Sequence, residues 1–203
     1  MSHQHDDEDF TPSSETGYKP GQKKSMNEYE NLDADDEALR RWKESLGVKS
    51  SGVPDGSDPH NVVVLELRLL VEGRPDVILD LTQPAEVLKT QSFTIKEGVE
   101  YRLLVKFKVQ HSLVSGLKYM HVVKRKMITV DKAEEMIGSY AAKPDVLEKK
   151  ASIKIAACEP FAVEEAPKGM LARGHYDVKS RFVDDDKTVH KEWSWSFDIK
   201  SDW

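Results

Sequence analysis

Three groups of residues have types and spacing that could do chemistry. Asp184, Asp185 and Asp186, followed by Lys187, set three carboxylates in a row, a charge density that could attract a cation. Calcium loops, however, space their ligands and usually finish on a Glu, so a solvated hairpin turn accounts for the same run. Glu164 and Glu165 stand beside Ala166, Pro167 and Lys168. Adjacent carboxylates become an acid/base pair only where a buried site separates their pKa values; otherwise they are loop charges. His3 and His5 are close in sequence but have no further ligands, which limits them to incidental metal affinity. There is no Gly-rich phosphate cradle, zinc spacing or nucleophile elbow, and the seven histidines are scattered. The pattern points away from an enzyme and implies no cofactor and no metal.

The stronger chemical signal is apolar. In KEWSWSFDIK, residues 191–200, Trp193, Trp195, Phe197 and Ile199 fall at every second position. A strand of period two puts them on one face and Ser194, Ser196, Asp198 and Lys200 on the other. Such a face can be ordinary sandwich core or the wall of a ligand pocket, and the strand pattern alone leaves both open.

The elements that would hold these residues divide the chain in two. Residues 1–60 carry 14 Asp or Glu against 7 Lys or Arg and only 13 apolar residues, too few for a core, so they read as an acidic, largely disordered arm. Residues 61–203 are nearly balanced, with 22 acidic and 23 basic, and read as one folded domain. An acidic arm suits a basic protein surface and disfavours nucleic acid or anionic lipid. Within the arm, Ser25 and Glu28 fit a capping box ahead of Met26, Tyr29 and Leu32. A second helix is expected after Asp33 as N-cap, with Leu39, Trp42 and Leu46 on one stripe and Gly47 as its stop. Two short amphipathic helices without a core of their own need an external surface.

Beyond residue 60 the pattern is of strands. Val63, Leu65, Leu67, Leu69 and Val71 alternate with polar residues, as do Val99, Tyr101, Leu103, Val105, Phe107 and Val109. Further strands are expected at 77–82, 92–96, 118–130, 153–157, 170–183 and 191–200. Repeated short runs without long helices predict an all-β fold, an immunoglobulin-like antiparallel β-sandwich with a flexible N-terminal helical arm. The single Cys158 allows no internal disulfide, and no signal peptide or membrane-spanning run occurs, so a reducing, cytosolic setting without stable membrane insertion is expected.

Several stretches carry more than periodicity: YKP at 18–20, KSMNEYENLDADDEALRRWKESL at 24–46, QSFTIKEGVEYR at 91–102, VSGLKY at 114–119, VEEAPKGMLARGHYDVKSRFVDDDKT at 163–188, and WSW followed by IKSDW at the end. Nearly everything from Tyr18 onward resembles the Rho GDP-dissociation inhibitor family. The resemblance implies a sandwich whose sheets part to admit the geranylgeranyl chain of a GDP-bound Rho-family GTPase in a 1:1 complex, while the arm clamps the GTPase switches. It implies that Leu69, Phe93, Tyr101, Leu113, Trp193 and Trp195 form the prenyl pocket, and that Asp36, Leu39, Trp42 and Asp186 meet the switch region. Glu164 and Glu165 would meet the basic segment before the lipidated cysteine. The implied activity is inhibition of GDP release and extraction of the GTPase from membranes into the cytosol.

Three positions depart from the family pattern. Residues 141–160 are longer and different, Met127 stands where Gly is familiar, and His175 where a phosphorylatable Ser is familiar. Two rivals use a similar sandwich: a general prenyl-protein carrier of the phosphodiesterase-delta type, which would not need the arm, and a carbohydrate-binding sandwich with an aromatic platform.

Overall fold

The computed structural model describes residues 10, 36–45, 58–143, 145–151, 164–165 and 169–203. Their elements are α1 (Glu37–Ser45), β1 (Val62–Val71), β2 (Val77–Asp80), α2 (Ala85–Thr90), β3 (Ser92–Lys96), β4 (Glu100–Val109), β5 (Val114–Arg125), β6 (Ile128–Tyr140), β7 (Leu147–Ala151), β8 (Glu164–Glu165), β9 (Gly174–Val183) and β10 (Val189–Lys200). The strands form two sheets. One runs β2-β1-β4-β7 with β8 also on β4, and the other runs β3-β10-β9-β5-β6. β3 and β10 pair in parallel, and the remaining pairs are antiparallel. This is the expected all-β sandwich.

Alternation explains most of the core. On β4 the predicted Tyr101, Leu103, Val105, Phe107 and Val109 are buried, with Leu104 of the other face beside them and Val99 only half-buried, and on β10 the predicted Trp193, Trp195, Phe197 and Ile199 are buried together with Ser196. On β1 the expectation holds for Leu67, Leu69 and Val71 and fails before them. There Val62 and Val64 are buried in place of Val63 and Leu65, because the pairing with β4 shifts between Val64 and Glu66. A β-bulge reverses the parity of every residue on one side of it. The six-residue α2 closes one part of the core with Leu88, which is fully buried.

The single strand expected at 118–130 is a hairpin, β5 and β6, reversing at Lys126 and Met127. Both residues have positive φ, 49° and 67°, the geometry of a two-residue turn whose twist matches its strands. Gly or Asn normally takes such positions, and an ordinary side chain there costs on the order of 1 kcal/mol. No Gly marks the reversal in this sequence, and the one hint was Met127 standing where Gly is familiar in the family pattern. Similarly, the strand expected at 170–183 begins only at Gly174, after a turn closed by Ala172 N–H donating to the Gly169 carbonyl at 2.9 Å. The strand expected at 153–157 lies outside the described residues, while β7 provides an element in the divergent 141–160 segment that periodicity did not show.

Two features of the arm are visible. α1 starts later than expected: Asp36, rather than Asp33, caps it, its Oδ1 accepting from Ala38 N–H at 2.9 Å and Leu39 N–H at 3.1 Å, while Asp33 lies outside the described residues. Phe10, which no pattern tied to an element, is 2% exposed and packs with Met120, Val122 and Val183 on the outer face of the second sheet. Its ring lies 4.6 Å from the Arg181 guanidinium carbon and 5.4 Å from Lys179 Nζ, so apolar burial and cation–π attraction act together. Because Phe10 touches the outside of a sandwich already closed, Phe10→Ala is expected to shift the methyl resonances of Met120 and Val122 while moving the melting temperature by less than about 2 °C. A large drop in that temperature would show that the sandwich itself depends on the ring.

Candidate functional site

The inner face of β10 meets the opposite sheet across a core that is nearly, but not completely, filled. Leu69, Tyr101 and Leu103 of the first sheet and Ile95, Val123, Val178, Trp195 and Phe197 of the second surround a void of ≈ 10 Å³, about room for one water-sized sphere. Its wall is apolar side chain, so a water there would find few partners. Phe93 backs it, its ring centroid 5.4 Å from that of Trp195.

Trp193 and Trp195 are adjacent on this face but sit in different surroundings. Trp193 packs between Tyr119 and Phe182, with both ring centroids 6.0 Å away, and its buried Nε1 has no hydrogen-bond partner. Trp195 borders the void and donates from Nε1 to Ser180 Oγ at 3.1 Å, a hydroxyl that also lies 3.0 Å from the Tyr119 hydroxyl. This small polar cluster fixes the Trp195 ring plane beside an otherwise apolar cavity. Sequence reasoning missed it. Ser180 sits at an inward position between Val178 and Phe182, and one small polar residue in an alternating strand is a weak signal.

The other expected pocket residues divide. Leu69, Tyr101 and Trp195 line the void; Phe93 and Trp193 stand behind it. Leu113, in the β4–β5 connection, is half-buried and does not reach it. Ile95, Val123 and Val178 line it without having been singled out, although each follows the inward alternation of its strand. A void of this size cannot hold a ligand, since ligand pockets run about 300–1,000 Å³. Occupancy by a chain molecule therefore requires the sheets to separate around it.

Asp186 is carried on the β9–β10 turn, which is strongly braced. Asp184 is 5% exposed; its Oδ1 accepts from Thr188 N–H at 2.8 Å and its Oδ2 lies 2.9 Å from His190 Nε2. Asp185 N–H donates to the Ser115 carbonyl at 3.1 Å, which lays the Asp185 carboxylate over Gly116. The carboxylate run is thus a turn in which one member is internal scaffolding and Asp186 is left at the tip. Among the described residues no group of three or more His, Cys, Asp or Glu could hold a metal.

At the other end of the sandwich, β8 pairs Glu164 and Glu165 with Tyr101 and Glu100, so the backbone of the acidic pair runs beside a wall residue of the void. Nearby, Glu97 accepts two hydrogen bonds from the Arg173 guanidinium, at 2.7 and 2.9 Å, and this pairing holds its carboxyl below the usual range. The cap residue Asp36 and Leu39 on α1 are exposed. The side chains of Trp42, Glu164 and Glu165 lie outside the described residues. The structure therefore joins Leu69, Phe93, Tyr101, Trp193 and Trp195 in one core, leaves Leu113 outside it, and sets Asp186 apart from them.

Comparison with known proteins adds a second line of observation. A family model described as RHO protein GDP dissociation inhibitor matches residues 2–202. The Schizosaccharomyces pombe Rho GDP-dissociation inhibitor is 45% identical over 185 residues, covering 90% of this chain and 85% of that one. The human Rho GDP-dissociation inhibitor 1 is 46% identical over 187 residues, covering 92% and 86%, and the Saccharomyces cerevisiae Rho GDP-dissociation inhibitor is 42% identical over 192 residues, covering 90% and 89%.

The brace under Asp186 has a direct test. A Cβ on Gly116 would lie 1.8 Å from Asp185 Oδ2, and the glycine's φ of +58° disfavours any side chain. Gly116→Ala is expected to displace the β9–β10 turn and cost at least about 2 kcal/mol, read as a lower urea midpoint. An unchanged midpoint would show that the turn gives way freely and does not position Asp186.

Proposed function

This chain belongs to the Rho GDP-dissociation inhibitor family, and from that premise we propose that it binds Rho-family GTPases through their isoprenyl chain and switch region, one to one. In this reading it slows GDP release and carries the GTPase off the membrane into the cytosol. The observation that carries the lipid part is the apolar void beside Trp195, enclosed by side chains from both sheets. A chain that leaves the bilayer gives up about 0.8 kcal/mol per buried CH₂, on the order of 16 kcal/mol for twenty carbons. Only another dry environment compensates for that loss. The space between the sheets is lined by apolar side chains and already imperfectly packed, so lipid insertion would exchange one apolar contact set for another.

The remaining residues take roles consistent with their places. Leu69, Tyr101 and Trp195 would touch the chain, with Phe93 and Trp193 behind them and Leu113 reached only when the sheets move. Asp36, Leu39 and Trp42 on the arm and Asp186 on the braced turn would engage the switch region. Folding arm helices on a partner restricts its motion, while the ordering entropy keeps the complex reversible. Glu164 and Glu165, on the strand beside Tyr101, would meet a basic segment leading to the lipid. The role is regulatory, with no catalysis by this chain. No helix among the described residues is long and apolar enough to cross a membrane.

Two experiments test the reading. In liposome extraction, the chain is expected to release geranylgeranylated Rho-family GTPase into solution, and Trp195→Ala to reduce that release at least about tenfold, a loss of roughly 1.4 kcal/mol, with a smaller effect on unprenylated GTPase. Equal extraction by the variant would remove Trp195 from the pocket. Reversing Glu164 and Glu165 to Lys is expected to slow association with GTPases that have basic tails, with the difference shrinking as salt screens it. An unchanged rate at low salt would reject that contact.

A further inference from the structure

Phe10 is the only described residue ahead of Asp36, and its seat is the outer face of the second sheet. The strand registers show what surrounds it, because paired residues on neighbouring strands share a face. One row across β6, β5, β9 and β10 reads Glu134, Met120, Arg181, Glu192, and the next reads Lys132, Val122, Lys179, Ser194. Flanking these rows, Lys118 stands opposite Val183 and Lys124 opposite Asp177. Met120, Val122 and Val183 are the apolar seat of the ring, so cations and apolar side chains alternate around it. Beside the ring opens a groove of ≈ 360 Å³, whose lining includes Lys89 of α2, Lys124, Lys179 and Ser194.

The charges around this seat do not cancel. Lys118, Lys124, Lys132, Lys179 and Arg181 stand in these rows against Glu134, Asp177 and Glu192. Glu134 lies on Lys118, and Glu192 is shared by Lys179 and Arg181. Lys89 adds a further cation, with Glu86 at 3.6 Å as its own neighbour. One row further along, Asp198 lies 2.9 Å from His175 Nδ1, and Asp177 lies 3.5 Å from the other nitrogen of that ring. Beyond Val183 the Asp185 carboxylate is laid over Gly116, with Asp186 at the tip of that turn. Directly before Phe10 the sequence reads Asp6, Asp7, Glu8, Asp9, a run outside the described residues. An extended chain covers at most about 3.6 Å per residue, so with Phe10 seated the four acidic residues stay within about 15 Å of it. Neighbouring strands are only about 4.8 Å apart, which puts the cations of β5, β6 and β9 within reach of all four. Burial of one ring barely offsets the ordering of the residues that carry it, so ion pairs beside the ring account for its seating better than the ring alone.

We propose that Asp6, Asp7, Glu8 and Asp9 bind the cations around this groove, with Phe10 as the apolar end of the motif, so that residues 6–10 form an intramolecular strap on the back of the second sheet. The site takes an acidic segment that ends in an aromatic ring, and its occupant is this chain's own arm. Val178 and Trp195 line the groove as well as the inter-sheet void, so the strap lies behind the wall that the proposed lipid would touch. The strap itself rests on neither lipid nor GTPase.

The test reads the methyl signals of Met120 and Val122 in the full chain, with Phe10→Ala marking their undocked positions. Neutralising the run (Asp6→Asn, Asp7→Asn, Glu8→Gln, Asp9→Asn) is expected to move the signals at least about half of the way to those positions, through the summed loss of several exposed ion pairs. Raising salt from about 20 to about 500 mM should move wild type in the same direction by screening. The pair Lys124→Gln, Lys132→Gln should do so too, whereas Lys108→Gln on the first sheet should not. If a thermal melt shows the lysine pair destabilised, the neutralised run and the salt series carry the comparison. Signals that stay in place in the neutralised variant and at high salt overturn the proposal, since the ring would then hold alone. Movement in the neutralised variant without movement in a stably folded lysine pair overturns it too, because the acids would then act elsewhere. So does a wild type already at the Phe10→Ala positions, or signals that shift on dilution at constant salt, which would place the segment of a second copy on this face.

Discussion

The packing of one strand's aromatic face against an opposing sheet governs the rest of this molecule. Trp193, Trp195, Phe197 and Ile199 enter the gap between the sheets from alternate positions of β10, and under the proposed function two opposed demands fall on them. With no ligand they have to close a core well enough to keep a sandwich folded. To receive a lipid chain, as proposed above, they would have to give up part of that closure at small cost. The void of ≈ 10 Å³ beside Trp195 is where the two demands meet, because the atoms around it already lack partners on one side. The polar contacts of Ser180 with Trp195 and Tyr119 limit how the largest ring can move, so the core has a soft place without being loose throughout.

Around that core the two ends of the sandwich are built differently. One carries the β9–β10 turn, stiffened by a buried Asp184 and by an Asp185 carboxylate laid over Gly116. The other carries the clamped turn at 169–173, the acidic strand β8 and the nearest walls of the void. On the function proposed above, the switch contact at Asp186 and the lipid pocket would thereby be separated along the strand direction. On the outer face of the second sheet Phe10 packs with Met120, Val122 and Val183, beside the cations of Lys179 and Arg181.

Much of this was legible in the residues alone. Strict alternation on β4 and β10 gave the inward faces correctly, because a strand buried on one side leaves no other register. What escaped were events that change parity or direction without a marker. The bulge after Val64 exchanges the faces of β1, the reversal at Lys126 and Met127 lacks a glycine, and the helix cap moves from Asp33 to Asp36 among several equivalent acidic residues. Leu69, Tyr101 and Trp195, which the family resemblance named, line the void and agree with the local pattern. Ile95, Val123 and Val178 were beyond either source, since which inward residues border a void is decided by packing across the sheets and not along a strand.

The claim at the centre of this account is that lipid occupies the space between the sheets. Isotope-filtered nuclear Overhauser spectroscopy on the labelled protein with geranylgeranyl cysteine methyl ester tests it most directly. The account predicts contacts from the isoprenyl methyls to the methyls of Leu69, Val123 and Val178 and to the Trp195 ring, all side chains that border the void and come from opposite sheets. Saturable binding with contacts confined to surface side chains, or no binding by the folded protein, would contradict it.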